Sequence, residues 1–245
     1  MKRMIVCVYS AILVLILVSC GDSGTLSADG DLSSSLGEGS SSSSSSVASS
    51  SSVMKDWFNV SISYGSMTDT RDNQVYKTVV IGTQTWMAEN LNYASTSVVS
   101  RCEKCTIYGR LYDWNSMMAG ATSSTDSPSG VQGICPSGWH VPSNAEWDVL
   151  ETFVGGSGTA GTKLKANSNL WYENTGTDDY GFSALPGGFY FGSASITVGY
   201  NGYWWSTTEY STKNAYEQKM NYKNADVRLY NNDKPNGCSL RCVKD

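Results

Sequence analysis

The side chains of this sequence with the most specific chemistry are its cysteines, a single histidine and two groups of acidic residues. His140 is the one histidine in 245 residues. A metal site built from several histidines is therefore excluded, and a nucleophile–His–acid set would have to use this residue. Because His140 lies in a Gly138-Trp-His-Val-Pro142 segment before a predicted helix, we interpret it as part of a structural turn and predict no catalytic residue.

Five cysteines follow the N-terminal region, and in an oxidising compartment such residues mostly form structural disulfides. Their spacing alone does not fix which ones pair. We predict a Cys135–Cys242 disulfide that joins the middle of the chain to its last strand, and a Cys102–Cys105 disulfide that closes a small loop. Cys238 is then left over. The Cys102-Glu-Lys-Cys105 spacing is also that of redox motifs, but its polar loop setting favours a structural bridge.

Acidic residues offer hard oxygen ligands in two places, at Asp69 to Asn73 and at Asp178-Asp179. Asp72-Asn73 is more simply a turn before a strand, and Asp178-Asp179 is more simply an exposed loop. Asp178 and Asp179 are the candidates for calcium binding. Apart from calcium we expect neither a metal nor another cofactor.

The final third of the chain is crowded with aromatic residues, which suit sugar rings and protein partners because they bury a large area with little loss of entropy. Trp204 and Trp205 are adjacent, so in a strand their side chains point to opposite faces. We expect one of them in the core and the other exposed. The simpler alternative is that most of these aromatic residues pack the core. The candidates for ligand binding are Tyr203, Trp204, Trp205, Glu209 and Tyr210.

A hairpin and a helix are the clearest structural elements near these residues. Gln74–Ile81 and Gln84–Met87 have the composition of strands joined at a Gly82-Thr83 turn. Ser143-Asn-Ala-Glu146 is a capping box, in which serine and glutamate satisfy each other's end amides. The helix that follows ends at Gly155-Gly156 and presents one apolar face, made of Trp147, Leu150, Phe153 and Val154.

Weaker patterns complete the prediction. Gly109 to Ala119 favours a short helix, Thr162 to Ala166 favours another turn of helix, and Asn231 to Gly237 is a turn cluster. Aromatic and β-branched residues predict strands at Tyr203 to Glu209, Tyr216 to Tyr222 and Asp226 to Tyr230. We therefore predict an α+β fold with about two helices, small antiparallel sheets and long loops, stapled by disulfides.

The N-terminus has the pattern of an export signal. Lys2 and Arg3 precede an apolar run from Met4 to Val18, which is shorter than the roughly 20 residues that span a bilayer. A basic start and a short apolar centre are typical of a secretory signal peptide. We predict that residues 1–19 are removed after export.

The segment Leu17-Val-Ser-Cys-Gly21 resembles the lipobox of bacterial lipoproteins. The resemblance implies cleavage before Cys20 and acylation of this residue. Each buried methylene contributes about 0.8 kcal/mol, so two or three acyl chains anchor a protein almost permanently. In bacterial lipoproteins an Asp directly after the acylated cysteine favours retention in the inner membrane, and this sequence has Gly21 there. The resemblance therefore implies that the protein lies in the bacterial cell envelope, at the outer membrane, which it contacts through the lipid anchor.

A serine-rich segment separates this anchor from one predicted domain. Residues 20–55 include an unbroken serine run at Ser40 to Ser46 and have too few apolar residues to offset the entropy of ordering the chain. We predict a disordered tether with an end-to-end distance of roughly 30–35 Å. Residues 56–245 are about 190 residues, within the range of a single domain. Loss of Lys2 and Arg3 would change the formal net charge from −5 to −7, which argues against nucleic acid as a partner.

The predicted domain carries a series of motifs, in order, from about Gly65 to its end. They include Gln84-Thr-Trp-Met-Ala-Glu-Asn-Leu-Asn-Tyr93, Tyr108-Gly-Arg-Leu-Tyr-Asp-Trp114, Cys135-Pro-Ser-Gly-Trp-His-Val-Pro142, Trp205-Ser-Thr-Thr-Glu209 and Ser239-Leu-Arg-Cys-Val-Lys-Asp245. Together these motifs resemble the Fibrobacter succinogenes major paralogous domain, a family of exported bacterial proteins. The family resemblance implies an exported domain but no particular activity.

That family in turn resembles the fold shared by C-type lectins and formylglycine-generating enzymes. His140-Val-Pro-Ser-Asn-Ala-Glu-Trp147 is similar to the Leu-Pro-Thr-Glu-x-Glu-Trp segment of those enzymes, and Arg241-Cys242 to their closing Phe-Arg-Cys strand. The resemblance implies a C-type-lectin-like fold. The enzymes hold copper with a reactive cysteine pair, but the matching region here, Tyr203 to Glu209, has no cysteine. The Glu-Pro-Asn calcium signature of sugar-binding lectins is absent too.

Three hypotheses for function follow. The first is a surface-anchored, non-catalytic binding or adhesion lipoprotein that recognises glycans or partner proteins. The second is an envelope enzyme or redox protein related to the formylglycine-generating group. The third is a structural component of the envelope.

Overall fold

The structure is a computed structural model, and it describes residues 55–245. The predicted signal peptide, Cys20 and the serine-rich tether up to residue 54 lie outside the described residues. Within residues 55–245, no helix has the length and apolar character needed to cross a membrane.

The described part of the chain forms short strands and four helices. The strands are β1 (Gly65–Asp69), β2 (Gln74–Ile81), β3 (Gln84–Met87), β4 (Ser100–Arg101), β5 (Leu111–Tyr112), β6 (Trp139–His140), β7 (Phe189–Phe191), β8 (Ala194–Ile196), β9 (Asn201–Glu209), β10 (Asn214–Asn221), β11 (Val227–Asp233) and β12 (Val243–Lys244). The helices are α1 (Cys105–Tyr108), α2 (Trp114–Met118), α3 (Asn144–Phe153) and α4 (Ser157–Leu164). The predicted α+β class is confirmed, although the helices number four within this range where about two were expected.

The strands form small antiparallel sheets. A five-stranded sheet has the order β1-β2-β3-β12-β6, so the last strand of the chain lies between β3 and β6. A three-stranded sheet has the order β11-β10-β9. Two ribbons, β4–β5 and β7–β8, complete the set. The ribbons and the loops beside them, not the sheets, provide the concave surfaces described below.

Two local predictions are confirmed. The β2–β3 hairpin has the predicted bounds and turns at Gly82, whose φ of 64° is a conformation that glycine adopts without strain. The capping box of α3 is complete, since the Ser143 side chain accepts from the Glu146 backbone and the Glu146 side chain accepts from the Ser143 backbone. Both features are set by near neighbours in the sequence, which explains why they could be predicted.

Two other helix predictions are confirmed in part. A short helix does lie within Gly109 to Ala119, but it begins only at Trp114, because Leu111–Tyr112 pairs with β4 as a strand and the Asp113 side chain caps the helix. The turn of helix predicted at Thr162 to Ala166 is the end of α4, which begins earlier, at Ser157, and ends at Leu164.

Two further corrections concern side chains and turns. Phe153 does not face the core; it is 54 % exposed and packs edge-on against Tyr180. The turn cluster predicted at Asn231 to Gly237 begins later, since β11 continues to Asp233.

The core has two hydrophobic clusters with β9 between them. One cluster groups aromatic rings of three elements and a loop, with centroids 4.8 Å apart for Trp86–Trp147, 5.6 Å for Trp86–Phe182 and 6.5 Å for Trp147–Trp204. The other surrounds the Cys135–Cys242 disulfide and includes Tyr112, Trp114, Trp139 and Trp205. Adjacent residues of β9 thus enter different clusters.

The structure contains both disulfides predicted from the sequence. Cys135–Cys242 joins residues 107 positions apart, and Cys102–Cys105 closes a loop at the end of β4. Cys238 is the one cysteine of residues 55–245 outside a disulfide, and it is buried. The first disulfide braces the core, and the second braces a surface loop.

Candidate functional site

The two tryptophans predicted to provide a ligand surface are both structural. Trp204 and Trp205 have no exposed surface, and Tyr203 is 6 % exposed. The indole of Trp204 donates to Asn90 Oδ1 at 2.8 Å, and that of Trp205 donates to the Tyr112 carbonyl at 2.7 Å. The expectation that one tryptophan is exposed is wrong, because β9 is covered on both faces. These three residues cannot contact a ligand unless the core opens.

The other two predicted ligand residues are exposed at the end of β9. Tyr210 is 58 % exposed and packs edge-on against Tyr216. Glu209 forms an ion pair with the buried Lys234. Neither residue lines a concave surface with another predicted ligand residue.

The candidate calcium ligands point in different directions. Asp178 is buried, which corrects its assignment to an exposed loop, whereas Asp179 is exposed. The Asp178 carboxylate accepts from the backbone and the hydroxyl of Ser183, both at 2.7 Å. Burial raises the pKa of Asp178 to about 7, although the Ser183 hydrogen bonds and the charge of Arg241 oppose the rise. Residues 55–245 contain no cluster of three or more His, Cys, Asp or Glu that could hold a metal.

His140 is held between two carboxylates. Its Nε2 lies 2.7 Å from Glu146 Oε1 and its Nδ1 lies 2.7 Å from Asp245 Oδ1. Burial alone would lower the pKa of His140, but the hydrogen bonds to Glu146 and Asp245 raise it. The imidazole therefore ties the chain end to the start of α3, with both ring nitrogens engaged.

A groove lies between the two ribbons, β4–β5 and β7–β8. It has a volume of about 340 Å³ and is formed by four separate segments of the chain: β4 with Val99, β5 with Asp113, the turn of the β7–β8 hairpin, and the turn at residues 235–237. Its polar and aromatic lining residues are Ser100, Arg101, Asp113, Tyr190, Phe191 and Asn236. We call this surface the ribbon groove.

A glycine allows these segments to meet. The backbones of Tyr190 and Gly237 exchange two hydrogen bonds, of 2.8 and 2.9 Å. A Cβ at Gly237 would lie 3.0 Å from the Tyr190 Cβ and 3.3 Å from the Leu111 Cβ, closer than side chains normally pack. The lack of a side chain here brings the hairpin against β5 and so closes one side of the ribbon groove.

Asp113 is one of the residues that line the ribbon groove. Its Oδ1 accepts from the Ser116 backbone at 2.9 Å and caps α2. Its Oδ2 is buried and has no hydrogen-bond partner within the described part of the chain. A buried acceptor without a partner is costly, by about 1–3 kcal/mol. Because Oδ2 has almost no accessible surface, a ligand hydroxyl or amine would relieve this cost only after a movement of the Asp113 side chain.

Aromatic side chains and a cation form the other side of the ribbon groove. Phe191 is 57 % exposed. The Arg101 guanidinium lies 5.2 Å from the centroid of the Tyr190 ring, within cation–π range. Cys102 follows Arg101 directly, so the Cys102–Cys105 disulfide constrains the loop that carries this cation. Arg101 and Asp113 balance each other in charge.

A buried polar network supports the floor of the ribbon groove. The amide nitrogen of Asn236 donates to Asn232 Oδ1 at 2.7 Å, and Asn232 donates to Glu217 Oε2 at 3.1 Å. The thiol of Cys238 donates to the same oxygen at 3.1 Å. Burial raises the pKa of Glu217, and burial together with the nearby Glu217 raises the pKa of Cys238 well above its ordinary value. The network fixes Asn236 and keeps Cys238 a thiol.

Sequence reasoning missed the ribbon groove for a physical reason. Its residues come from four segments spread between Val99 and Gly237, and only Leu111 and Asp113 share a sequence motif. The one local signal was Asp113 before Trp114, which is typical of a helix N-cap. That signal predicts the role of Oδ1 but gives no information on the surroundings of Oδ2.

Comparison of the chain with curated proteins gave no match, and comparison with solved structures gave none either. A family model does match, over residues 79–244. The match begins within β2, later than the Gly65 start that the sequence motifs implied, and it covers every segment of the ribbon groove. The chain belongs to the Fibrobacter succinogenes major domain family.

Proposed function

We propose that this protein is a non-catalytic binding or adhesion lipoprotein of the bacterial cell surface, which recognises glycans through the ribbon groove. The observation that carries the proposal is a groove with aromatic walls, Tyr190 and Phe191, that is also lined by Asp113, whose buried Oδ2 has no hydrogen-bond partner among residues 55–245. A sugar ring can pack on Tyr190 or Phe191, and a small movement of the Asp113 side chain on binding would let Oδ2 accept from a sugar hydroxyl.

The charges of the ribbon groove favour a neutral ligand. Arg101 and Asp113 carry opposite charges on the same concave surface. An anionic ligand would meet the unpaired oxygen of Asp113, and a cationic ligand would meet Arg101. A polyhydroxylated neutral ring can hydrogen-bond to both residues without leaving either charge unbalanced. The groove volume of about 340 Å³ is at the small end of ligand sites, which suits one or two sugar rings.

The chemistry of the reactive side chains supports a role without catalysis. Both ring nitrogens of His140 are engaged with carboxylates, so no nitrogen is left to activate a nucleophile. Cys238 is fully buried, and its raised pKa disfavours the thiolate. These features weigh against the alternative of an envelope enzyme related to formylglycine-generating enzymes.

The location and the finer fold are part of the same proposal. The lipobox-like segment at Cys20 supports a lipid anchor, and the serine-rich tether would hold the domain away from the membrane. The C-type-lectin-like fold implied by the sequence motifs is supported by the small antiparallel sheets, the two longer helices and the long loops.

The test is a substitution that changes only the unpaired oxygen. Asp113→Asn keeps Oδ1 as the cap of α2, since asparagine caps helices as well as aspartate does, but replaces an acceptor with a donor. We expect the full chain, solubilised in detergent, to bind a soluble oligosaccharide from a glycan array, and Asp113→Asn to weaken binding at least tenfold. Isothermal calorimetry would measure the affinity.

The matched control is Asp126→Asn, which removes another aspartate charge outside the ribbon groove. It should leave the affinity within twofold. Equal binding by Asp113→Asn and the wild type, at equal thermal stability, would remove the ribbon groove as the glycan site. Binding of peptides or amines in place of glycans, lost in Asp113→Asn, would keep the site and replace the ligand class.

A further inference from the structure

A second set of aromatic side chains is exposed away from the ribbon groove. Tyr172 and Tyr200 stack on each other with ring centroids 4.8 Å apart and an interplanar angle of 24°. Tyr222 meets both rings nearly at right angles, at 5.5 and 5.4 Å. Tyr172 is 65 % exposed and Tyr200 is 41 % exposed. Tyr172 and Tyr200 therefore expose aromatic surface that core packing does not require, whereas Tyr222 is half-buried against the first hydrophobic cluster. We call these three residues the tyrosine cluster.

The three tyrosines come from different segments and are held together by backbone hydrogen bonds. The Tyr172 amide donates to the Gly199 carbonyl at 2.8 Å, and the Tyr222 amide donates to the Tyr200 carbonyl at 2.9 Å. Each ring is thus positioned by its neighbour's main chain as well as by ring contacts. An aromatic surface that is positioned in advance loses little entropy when it binds.

A buried lysine fixes the segment that carries Tyr222. The Lys165 ammonium donates to the carbonyls of Asn221 and Asn224 at 2.9 and 2.8 Å, and to Thr175 Oγ1 at 2.7 Å. Thr175 in turn donates to the Tyr222 carbonyl at 2.7 Å. The two carbonyls flank Tyr222 and Lys223, so Lys165 clamps this turn at both ends. A buried ammonium is costly, and burial lowers the pKa of Lys165 to about 8.

The loop that carries Tyr172 also forms a polar hollow. This hollow has a volume of about 380 Å³, and all but one of its lining residues bear amide, hydroxyl or carboxylate groups: Asp56, Asn167, Ser168, Asn169, Leu170 and Asn174. Asn167, Asn169 and Asn174 are exposed. Amide side chains donate and accept, as sugar hydroxyls do, and they carry no charge, although Asp56 adds one carboxylate to this hollow. An exposed aromatic ring on the same loop as neutral amides fits a polysaccharide better than the apolar core of a protein interface.

We propose that the tyrosine cluster is a second binding surface, which takes the pyranose rings of an extended neutral polysaccharide. Tyr172 offers its outer ring face to a sugar, and the amides of residues 167–174 contact the hydroxyls of the same chain. Lys165 is a positioning residue for Tyr222. This inference shares its ligand class with the proposed function of the ribbon groove, but it rests on separate residues and can fail independently.

The test measures binding of the detergent-solubilised full chain to four insoluble polysaccharides: cellulose, xylan, mannan and chitin. The chain carries Asp113→Asn, so that binding through the ribbon groove is weakened at least tenfold. We expect retention on at least one polysaccharide, and we expect Tyr172→Ala and Tyr200→Ala each to weaken it at least tenfold in depletion isotherms. Tyr230→Ala is the matched control, because Tyr230 is 42 % exposed and lies on β11 outside the cluster.

Lys165→Met tests the positioning role. It removes the ammonium and keeps the length of the side chain, and we expect it to weaken retention at least fivefold. Because this variant is open to general loss of stability, retention is compared with that of Tyr230→Ala after both variants are shown by circular dichroism to be folded. A folded Lys165→Met with wild-type retention would overturn the clamp but not the contact through Tyr172.

Two results would overturn the proposal as a whole. One is wild-type retention by Tyr172→Ala and Tyr200→Ala. The other is that the chain is retained on none of the four polysaccharides, whether or not it binds a protein through Tyr172. Loss of oligosaccharide binding in Asp113→Asn together with unchanged retention on a polysaccharide would uphold both surfaces. Failure of the groove experiment alone would leave the tyrosine cluster unaffected.

Discussion

The strand β9 and the loops before it use aromatic side chains in opposite ways. In β9 the first eight residues are buried, including Trp204 and Trp205. Before β9, Tyr172 and Tyr200 in loops and Phe191 at the end of β7 are between 41 and 65 % exposed. Both regions are rich in aromatic residues, so composition does not distinguish them.

The number of covered faces accounts for the difference. The strand β9 lies between two hydrophobic clusters, so each tryptophan has a cluster on its own side. The loops pack on one side only, and an aromatic ring placed there keeps an exposed face. The comparison teaches that the aromatic residues of β9 pack the core of this domain, whereas the exposed aromatic residues before β9 are the ones that we propose as recognition surfaces.

The largest expected effect is on the β9 side of this comparison. Trp204→Ala should destabilise the fold by about 3–5 kcal/mol, because it removes a completely buried indole and leaves a cavity beside Trp147. Urea unfolding followed by circular dichroism would measure the loss. A loss below about 1 kcal/mol would show that β9 is not the structural region that its burial indicates.

The two disulfides extend the comparison to covalent links. Replacing Cys135 and Cys242 by serine should cost about 2–4 kcal/mol, because that bridge spans 107 residues and restricts the unfolded chain. The same change at Cys102 and Cys105, which are three positions apart, should cost much less. Thermal unfolding of both double variants would rank them. We expect the variant without the Cys102–Cys105 disulfide to lower the affinity of the ribbon groove for its ligand instead. Equal losses of stability in the two double variants would contradict the distinction between a core disulfide and a surface-loop disulfide.

A buried carboxyl group on α3 tests how strongly the interior excludes water. Burial raises the pKa of Glu151 from 4.5 to about 7, helped by the nearby charge of Asp148. The folded state therefore holds this proton more tightly than the unfolded state does. The stability that results is fully present below pH 4.5 and is lost as the pH rises through about 7. Glu151→Gln should be more stable than the wild type at pH 8, by about 1–3 kcal/mol, and should show little gain at pH 5.

Urea unfolding at both pH values would measure this difference. Asp148→Asn is the control that removes a neighbouring charge from the same helix, and its effect should be smaller. The same gain from Glu151→Gln at pH 5 and pH 8 would exclude titration of Glu151 as its source.

The smallest expected effect on stability is on the loop side. Tyr172→Ala should change the free energy of unfolding by less than about 0.5 kcal/mol, since most of the side chain is already exposed. The measurement is the same urea titration as for Trp204→Ala. A loss above about 1.5 kcal/mol would mean that the tyrosine cluster holds the loops together, and it would weaken the contrast with β9.

Local patterns carried the accurate predictions. The β2–β3 hairpin depends on Gly82 and on alternation within about fourteen residues, and the α3 cap depends on two residues three positions apart. The prediction that one β9 tryptophan is exposed was wrong. Alternation indicates on which face of a strand a side chain lies, but it does not indicate whether another element covers that face. Phe153 failed for the same reason, since helical spacing placed it near the apolar side of α3, where Tyr180 and the Gly82 turn cover only part of its ring.

The sequence by itself determined the family, the α+β class, the hairpin and the capped helix, because short-range hydrogen bonding and residue order specify them. It also contained the export-signal and lipobox-like patterns, which lie outside the described residues. Only the tertiary structure decided the ribbon groove, the unpaired oxygen of Asp113 and the tyrosine cluster. Each of these depends on segments distant in sequence being brought within a few ångströms, and that proximity is set by packing of the whole domain.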